Sequence, residues 1–187
     1  MNIKNVAIFG DLTALYNVRA SMHKNINYNL LDKALKDEYG VVNFSCAKWY
    51  TLFHPDNVKQ GQFVKTLESL KWEVQTKRPS EIRRSLDPEC NPHKDYRFDS
   101  EIAYDIGEST ADDLYTDIVI VSDSFELLKP LKRATKYIDS ISVAFFADAM
   151  ERKWWRELNN SGINFLDLSE MMYKTRKNMD GPDTVRY

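Results

Sequence analysis

Four carboxylates stand where the carboxyl ends of parallel strands would bring them together. Asp11 follows the first apolar run of the chain, Asp123 and Glu126 follow a second run, and Asp99 opens a segment with helical spacing. Carboxylates that converge repel one another unless a hard cation neutralises them, and oxygen ligands favour Mg²⁺ or Mn²⁺. Such ions activate water for phosphodiester cleavage. The predicted metal ligands and catalytic residues are Asp11, Asp99, Asp123 and Glu126.

Each of these acids also has a purely structural interpretation. An Asp after a strand often caps the next helix, and the sequence favours neither capping nor catalysis for Asp123. Asp11 follows a buried strand directly, which favours function. Asp105 lies six residues after Asp99, on another face of the predicted helix, where it either supports the site or pairs in solvent with Glu101.

Alternating strands and helices must position these acids. Apolar and β-branched runs predict strands, apolar positions at helical spacing predict the helices between them, and Gly40 is a predicted C-terminal cap. The predicted strands are residues 5–9, 41–53, 72–75, 118–121, 141–146 and 163–166; the predicted helices are 30–35, 63–70, 99–106, 127–134, 150–158 and one from 169. This order predicts an α/β fold, a three-layer α/β/α sandwich with a mainly parallel sheet, whose ligands bind at the carboxyl ends of the strands.

Length and composition set the organisation and the environment. The 187 residues, 43% of them hydrophobic, predict one domain over 1–175 and a polar tail over 176–187. The 26 basic and 28 acidic residues nearly balance, so the net charge does not attract the chain to nucleic acid or to a membrane. Cys46 and Cys90 lack zinc-site spacing, which indicates reduced thiols. No apolar run approaches the roughly 18 residues of a spanning helix, so we expect a soluble, cytoplasmic protein.

The order of motifs resembles the NYN family of the PIN-like nuclease superfamily. That family opens with Asp-Gly-x-Asn-Leu-Tyr after an apolar strand, and residues 11–16 match its aspartate, leucine and tyrosine, with Leu12 and Ala14 in place of glycine and asparagine. The spacing of Asp99 and Asp105 is similar to that of the two aspartates in a second family motif.

A third motif, Ser-Gly-Asp-x-Asp-Phe, resembles residues 122–127. Without a gap, Ser124 and Glu126 stand where the family has aspartates; with a one-residue deletion, Asp123 fills the first position. The resemblance covers roughly residues 3–173 and implies a PIN-like fold and metal-dependent cleavage of RNA. It implies metal binding by Asp11, Asp99 and one or both of Asp123 and Glu126, supported by Ser122, Ser124 and Asp105.

Basic and aromatic side chains indicate how RNA would be held. Cations in and after a long polar segment could bind phosphates beside the acids, and Tyr96 could stack on unpaired bases, whereas we expect Tyr16 to pack in the core. The predicted RNA-binding residues are Arg78, Arg84, Lys94 and Arg97. Of the pair Trp154 and Trp155, one ring should face the core and the other should point outward as a surface for a homodimer.

Two hypotheses follow for the function. The first is a ribonuclease that uses Mg²⁺ or Mn²⁺ to cut single-stranded or structured RNA. The second is a module that keeps the fold but has lost turnover and binds RNA or a protein, because Ala14 and Ser124 replace metal-site groups of the family. An aspartyl-phosphate phosphatase is disfavoured, since Thr13 stands where that chemistry needs a second acid.

Overall fold

A six-stranded sheet forms the centre of the structure. The computed structural model describes residues 4–22, 25–82 and 96–180, and every strand pairing within them is parallel. The strands are β1 Val6–Asp11, β2 Cys46–Leu52, β3 Glu73–Lys77, β4 Asp117–Val121, β5 Ser140–Phe145 and β6 Asn164–Asp167. They lie in the order β3-β2-β1-β4-β5-β6.

Helices cover both faces of this sheet. They are α1 Leu12–Met22, α2 Tyr28–Tyr39, α3 Val58–Ser69, α4 Pro79–Ile82, α5 Asp99–Ala111, α6 Leu128–Ala134, α7 Arg152–Asn160 and α8 Leu168–Asp180. Successive side chains of a strand point to opposite faces, so Val6 and Ile8 of β1 join one apolar cluster with α1, α2, α3 and α8. Ala7 and Phe9 join a second cluster with α4, α5, α6 and α7. The fold is therefore a three-layer α/β/α sandwich.

The structure confirms the predicted α/β class and its parallel sheet. Gly40 ends α2 with a φ of 65°, as predicted for a C-terminal cap. Three helices differ from the prediction: α1 and α4 were not predicted, and α8 continues to Asp180, past the domain boundary expected at 175. Within the described ranges, no helix is long and apolar enough to cross a membrane.

The strand order places a topological switch point at the centre of the sheet. From β1 the chain builds outward through β2 and β3, then crosses back so that β4 pairs with the free side of β1. In parallel sheets wound in this way, ligands bind in the crevice beyond the carboxyl ends of the two strands at the switch point. Here those strands are β1 and β4, which end at Asp11 and Val121.

Candidate functional site

Asp11 caps helix α1 from the end of β1. One carboxylate oxygen, Oδ1, accepts hydrogen bonds from the backbone N–H groups of Thr13 at 2.7 Å and Ala14 at 3.1 Å. The other, Oδ2, accepts a longer bond of 3.5 Å from the N–H of Phe98, immediately before α5. Asp11 is fully buried. It therefore ties together the start of α1 and the start of α5, which is the structural interpretation that the sequence allowed beside a functional one.

Burial raises the pKa of Asp11 to about 6. The backbone hydrogen bonds from Ala14, Phe98 and Thr13, together with the charge of Arg97, lower this pKa but do not outweigh the loss of hydration. Near neutral pH the carboxylate is thus ionised at a cost to the fold. Ionisable groups whose pKa is shifted strongly by burial are found most often at functional sites.

Asp99, the first residue of α5, is held by a serine that follows β4. Its Oδ2 accepts a hydrogen bond of 2.7 Å from the hydroxyl of Ser124, while its Oδ1 is buried without a partner among the described residues. Burial raises the pKa of Asp99, and the charges of Asp123 and Glu126 raise it further; the Ser124 bond and Arg97 oppose them. Asp99 therefore lies within electrostatic reach of two of its predicted partners.

Asp123 also presents an oxygen that no described residue satisfies. Its Oδ1 is buried and unpartnered, and its Oδ2 lies 3.8 Å from Nη2 of Arg97. Ser124 precedes the 3₁₀ turn Phe125–Leu127, which has no side-chain cap, so Asp123 does not cap it. The hydroxyl of Ser122 accepts a bond of 3.2 Å from the N–H of Ser124, which fixes the turn after β4. Glu126, in contrast, is exposed.

These donors suit one hydrated divalent ion better than a pair of ions. Mg²⁺ usually keeps several waters and binds through one or two carboxylates, and Asp99 and Asp123 each offer one unpartnered buried oxygen. Across residues 4–22, 25–82 and 96–180, no group of three or more Asp, Glu, His or Cys side chains is arranged to hold a metal. The set of four carboxylate ligands stays a prediction.

The comparisons with known proteins give a fold and no family. No family model and no curated protein matches this chain. A solved structure does, the crystal structure of a protein of unknown function from Vibrio parahaemolyticus, with a TM-score of 0.68 and 18% identity over 91% of this chain and 97% of that one. The two chains share a fold. At 18% identity the similarity shows the fold alone, and the resemblance to the NYN family stays a prediction.

Asp105 belongs to a different set of contacts. Its carboxylate lies 2.9 Å from Nζ of Lys48 and accepts a hydrogen bond from the hydroxyl of Tyr50, both on β2. This arrangement gives a buried acid a cation and a hydroxyl donor, which is how a buried charge is normally stabilised. Its contacts are thus to β2, not to the solvent partner Glu101 that the sequence analysis had weighed.

The predicted RNA-binding cations fall in different places. Arg97 is half-buried beside the acids, and Arg78 is exposed just after β3. Arg84 and Lys94 lie outside the described residues. The basic surface predicted from the sequence is therefore described only in part.

The predictions for the aromatic residues have mixed outcomes. Tyr16 was expected in the core, but it is 58% exposed and lines a pocket. Trp154 is buried and Trp155 is 39% exposed, which confirms one inward and one outward ring. The ring of Trp155 packs on Phe165 with centroids 5.0 Å apart, so part of its apolar surface is already covered within the chain.

A pocket beside the first turn of α1 was not predicted. It has a volume of about 720 Å³ and lies between α1, the end of β2 and the start of α3; we call it the α1–α3 pocket. Its described lining includes Thr13, Tyr16, Arg19 and Lys59. These residues come from two distant parts of the sequence, so their spacing gave no signal.

The raised pKa of Asp11 makes stability depend on pH. Because the folded pKa of about 6 lies above the ordinary value of 3.8, folding takes up a proton, and this stabilisation is complete below pH 4 and lost as pH rises through 6. In chelator, Asp11→Asn should retain a cap and remove the buried charge. We expect it to flatten the fall in unfolding free energy between pH 4 and 7, an effect of at most about 3 kcal/mol.

Urea denaturation at several pH values measures this effect. Asp148→Asn, at an exposed position in the turn after β5, is the matched control and should leave the profile as in the wild type. The NH₂ group of the Asn would replace the oxygen that accepts the hydrogen bond from the N–H of Phe98. Losing that bond reduces the stability that Asp11→Asn gains at pH 7 when it removes the buried charge. An unchanged pH profile in Asp11→Asn would contradict the raised pKa.

Proposed function

We propose that this chain is a metal-dependent endoribonuclease that hydrolyses RNA phosphodiester bonds in the crevice beyond β1 and β4. The observation that carries the proposal is the pair of buried, unpartnered oxygens on Asp99 and Asp123 at this switch point. A buried carboxylate oxygen without a donor is costly unless something neutralises it. The order of motifs that resembles the NYN family supports the same reaction.

The roles of the chain's own residues follow from their contacts. Asp99 and Asp123 would hold Mg²⁺ or Mn²⁺, and the bound ion would supply an activated water and offset charge on the phosphate. Ser124 orients Asp99 through its hydroxyl, and Ser122 fixes the backbone that carries Ser124. Asp11 holds the segment before Asp99 through the N–H of Phe98. Glu126, exposed at the mouth, would add an outer ligand.

Arg97 is suited to position the phosphate of the substrate. Its Nη2 lies 3.8 Å from Asp123, too long for a hydrogen bond. A guanidinium beside these acids can bind an incoming phosphate through two parallel N–H groups. Arg78, exposed beyond β3, would add a second cation for the RNA backbone.

A second candidate function is RNA or protein binding without cleavage. The charge of Arg97 already lowers the pKa of both Asp11 and Asp99, so it replaces part of the neutralisation that an ion would give. Ala14 and Ser124, which stand where the family that the sequence resembles has metal-site groups, favour the same alternative. A cytoplasmic location and self-association through Trp155 stay predictions.

Incubation with RNA separates these two functions. We expect a labelled RNA of mixed sequence, offered as a single strand and as a hairpin, to be cut by the wild type with Mn²⁺ or Mg²⁺ and left intact with EDTA. Cleavage that continues in EDTA would contradict metal dependence. Retention of RNA by fluorescence anisotropy, with no cleavage under any metal, would favour the binding module.

A further inference from the structure

The α1–α3 pocket has the size and construction of a small-molecule site. Its volume of about 720 Å³ falls within the usual range for such sites, and its walls include residues of α1, α2, α3 and the end of β2. Asp11, Asp99 and Asp123 are not among its lining residues. The pocket is therefore distinct from the carboxylate crevice, although both adjoin the start of α1.

The charges around this pocket favour an anion. Arg19 and Lys59 line it, and none of its described lining residues is acidic. Within the described part of the chain, neither cation forms an ion pair, so both charges are available to a ligand. Two cations of a concave surface with no acid between them raise the local concentration of anions.

Aromatic side chains line the same space. Tyr16 is 58% exposed there, and Tyr28 and Phe63 meet edge to face with centroids 5.2 Å apart. Burial raises the pKa of Tyr28 to about 12, against the lowering effect of Arg19, so its hydroxyl keeps its proton at neutral pH. The exposed ring of Tyr16 lies beside these cations and offers a surface on which a nucleic-acid base can stack.

A buried hydroxyl in the pocket wall lacks a partner. Thr13 is 6% exposed and lines the pocket, and its Oγ1 makes no hydrogen bond with a described residue. Its backbone N–H already donates a hydrogen bond to Asp11, so only the side-chain hydroxyl is without a described partner. A buried hydroxyl without a partner is destabilising, and a polar atom of a ligand in the pocket would satisfy it.

We propose that the α1–α3 pocket binds one phosphorylated nucleoside. The base packs against the aromatic wall that includes Tyr16, the phosphate pairs with Arg19 and Lys59, and a polar atom of the base or ribose bonds to Thr13. The aromatic wall, the two cations and the hydroxyl without a described partner together favour a nucleotide over a simple anion or an apolar ligand. The nucleotide is either a free nucleoside monophosphate or one unit of an RNA strand.

Calorimetric titration in EDTA tests the pocket independently of any metal. The probes are AMP, GMP, CMP and UMP, compared with the matching nucleosides and with inorganic phosphate. We expect at least one monophosphate to bind at least about tenfold more tightly than its nucleoside and than phosphate, since charge-assisted bonds and stacking each add to affinity. Equal binding of phosphate alone, or no binding of any monophosphate, would overturn the proposal.

Substitutions locate the binding and identify its source. The double variant Arg19→Gln, Lys59→Gln and the single variant Thr13→Val should each weaken the best monophosphate by about tenfold or more. Lys65→Gln, exposed on α3 but outside the lining, is the matched control and should bind as the wild type does. Unchanged affinity in both pocket variants would place the ligand elsewhere and overturn the proposal.

A short single-stranded RNA, titrated under the same conditions, separates the two sources. Tighter binding of the RNA than of any monophosphate, weakened by the same variants, identifies a strand as the ligand. Tighter binding of a monophosphate identifies the free nucleotide.

Discussion

Asparagine in place of Asp99 or Asp123 should lower metal-dependent RNA cleavage by about a thousandfold, which corresponds to roughly 4 kcal/mol of lost charge stabilisation. Each substitution has nearly the same shape and neutralises a side chain whose Oδ1 is buried and unpartnered. Because burial raises the pKa of Asp99, its ionised form is disfavoured in the metal-free fold. Asp99→Asn should therefore leave the free protein folded, and the loss would be one of chemistry.

A thermal shift gives a second readout that a purely structural role would not produce. An ion that binds only the folded state raises the melting temperature, so Mn²⁺ should stabilise the wild type and the control Asp148→Asn but neither active-site variant. The control also removes one carboxylate, from an exposed turn at the same end of the sheet. Undiminished cleavage in both variants would show that these acids do not carry the reaction.

The parallel sheet could be predicted because its central strands are buried on both faces. Such strands appear in a sequence as short continuous apolar runs, and β1 and β4 have that form. The edge strand β3 is different, since its residues are exposed or half-buried and its sequence is mostly polar. There the apolar signal is weak, and the prediction of 72–75 was displaced from the observed Glu73–Lys77.

Helix α1 was not predicted because its apolar signal is short and interrupted. Its buried side chains toward the sheet are few, namely Leu12, Leu15 and Val18 with the small Ala14, and Tyr16 and Arg19 face the pocket. The usable signal was Asp11 itself, an N-cap residue directly before the helix. Of the two interpretations open to that aspartate, helix cap and metal ligand, its place directly after a buried strand favoured the ligand, whereas the structure shows the cap.

The positions of these acids after strands could be predicted from the sequence, whereas their contacts could not. Both Asp11 and Asp123 follow strands, but a helix starts at once after Asp11, whereas only a short 3₁₀ turn follows Asp123. The first arrangement brings N–H groups to the carboxylate and the second does not. Capping thus depends on where the next helix begins, and helix ends are difficult to predict from sequence.

Contacts between distant segments account for the rest. The partners of Asp105 come from β2, and the cations of the α1–α3 pocket come from two helices that α2 and β2 separate in the sequence. Each of these sets depends on how the layers of the sandwich pack. A single sequence contains no periodic signal that predicts which distant residues come into contact.

Gly10→Ala should destabilise the protein by about 3 kcal/mol, near the upper end for overpacking of a core. Gly10 lies in β1 opposite Trp49 of β2, and a Cβ added at Gly10 would overlap the ring of Trp49. That ring is fully buried and stacks on Trp72, with centroids 4.1 Å apart and planes 12° from parallel. Neither a buried indole nor a central strand can shift without disturbing its neighbours, because interiors are closely packed.

Urea denaturation followed by tryptophan fluorescence measures this loss, and Gly61→Ala is its matched control. Gly61 lies within α3, and apart from its chain neighbours and the helix backbone no heavy atom of the described residues lies within 4 Å of an added Cβ. The same substitution there should therefore stabilise the helix by roughly 0.5 to 1 kcal/mol. If the overlap with Trp49 is the cause, Gly10→Ala should lower the free energy of unfolding much less in a Trp49→Leu background. The smaller leucine side chain leaves room for the methyl group of the alanine. An equal cost in both backgrounds would mean that the Trp49 ring is not what requires glycine at this position.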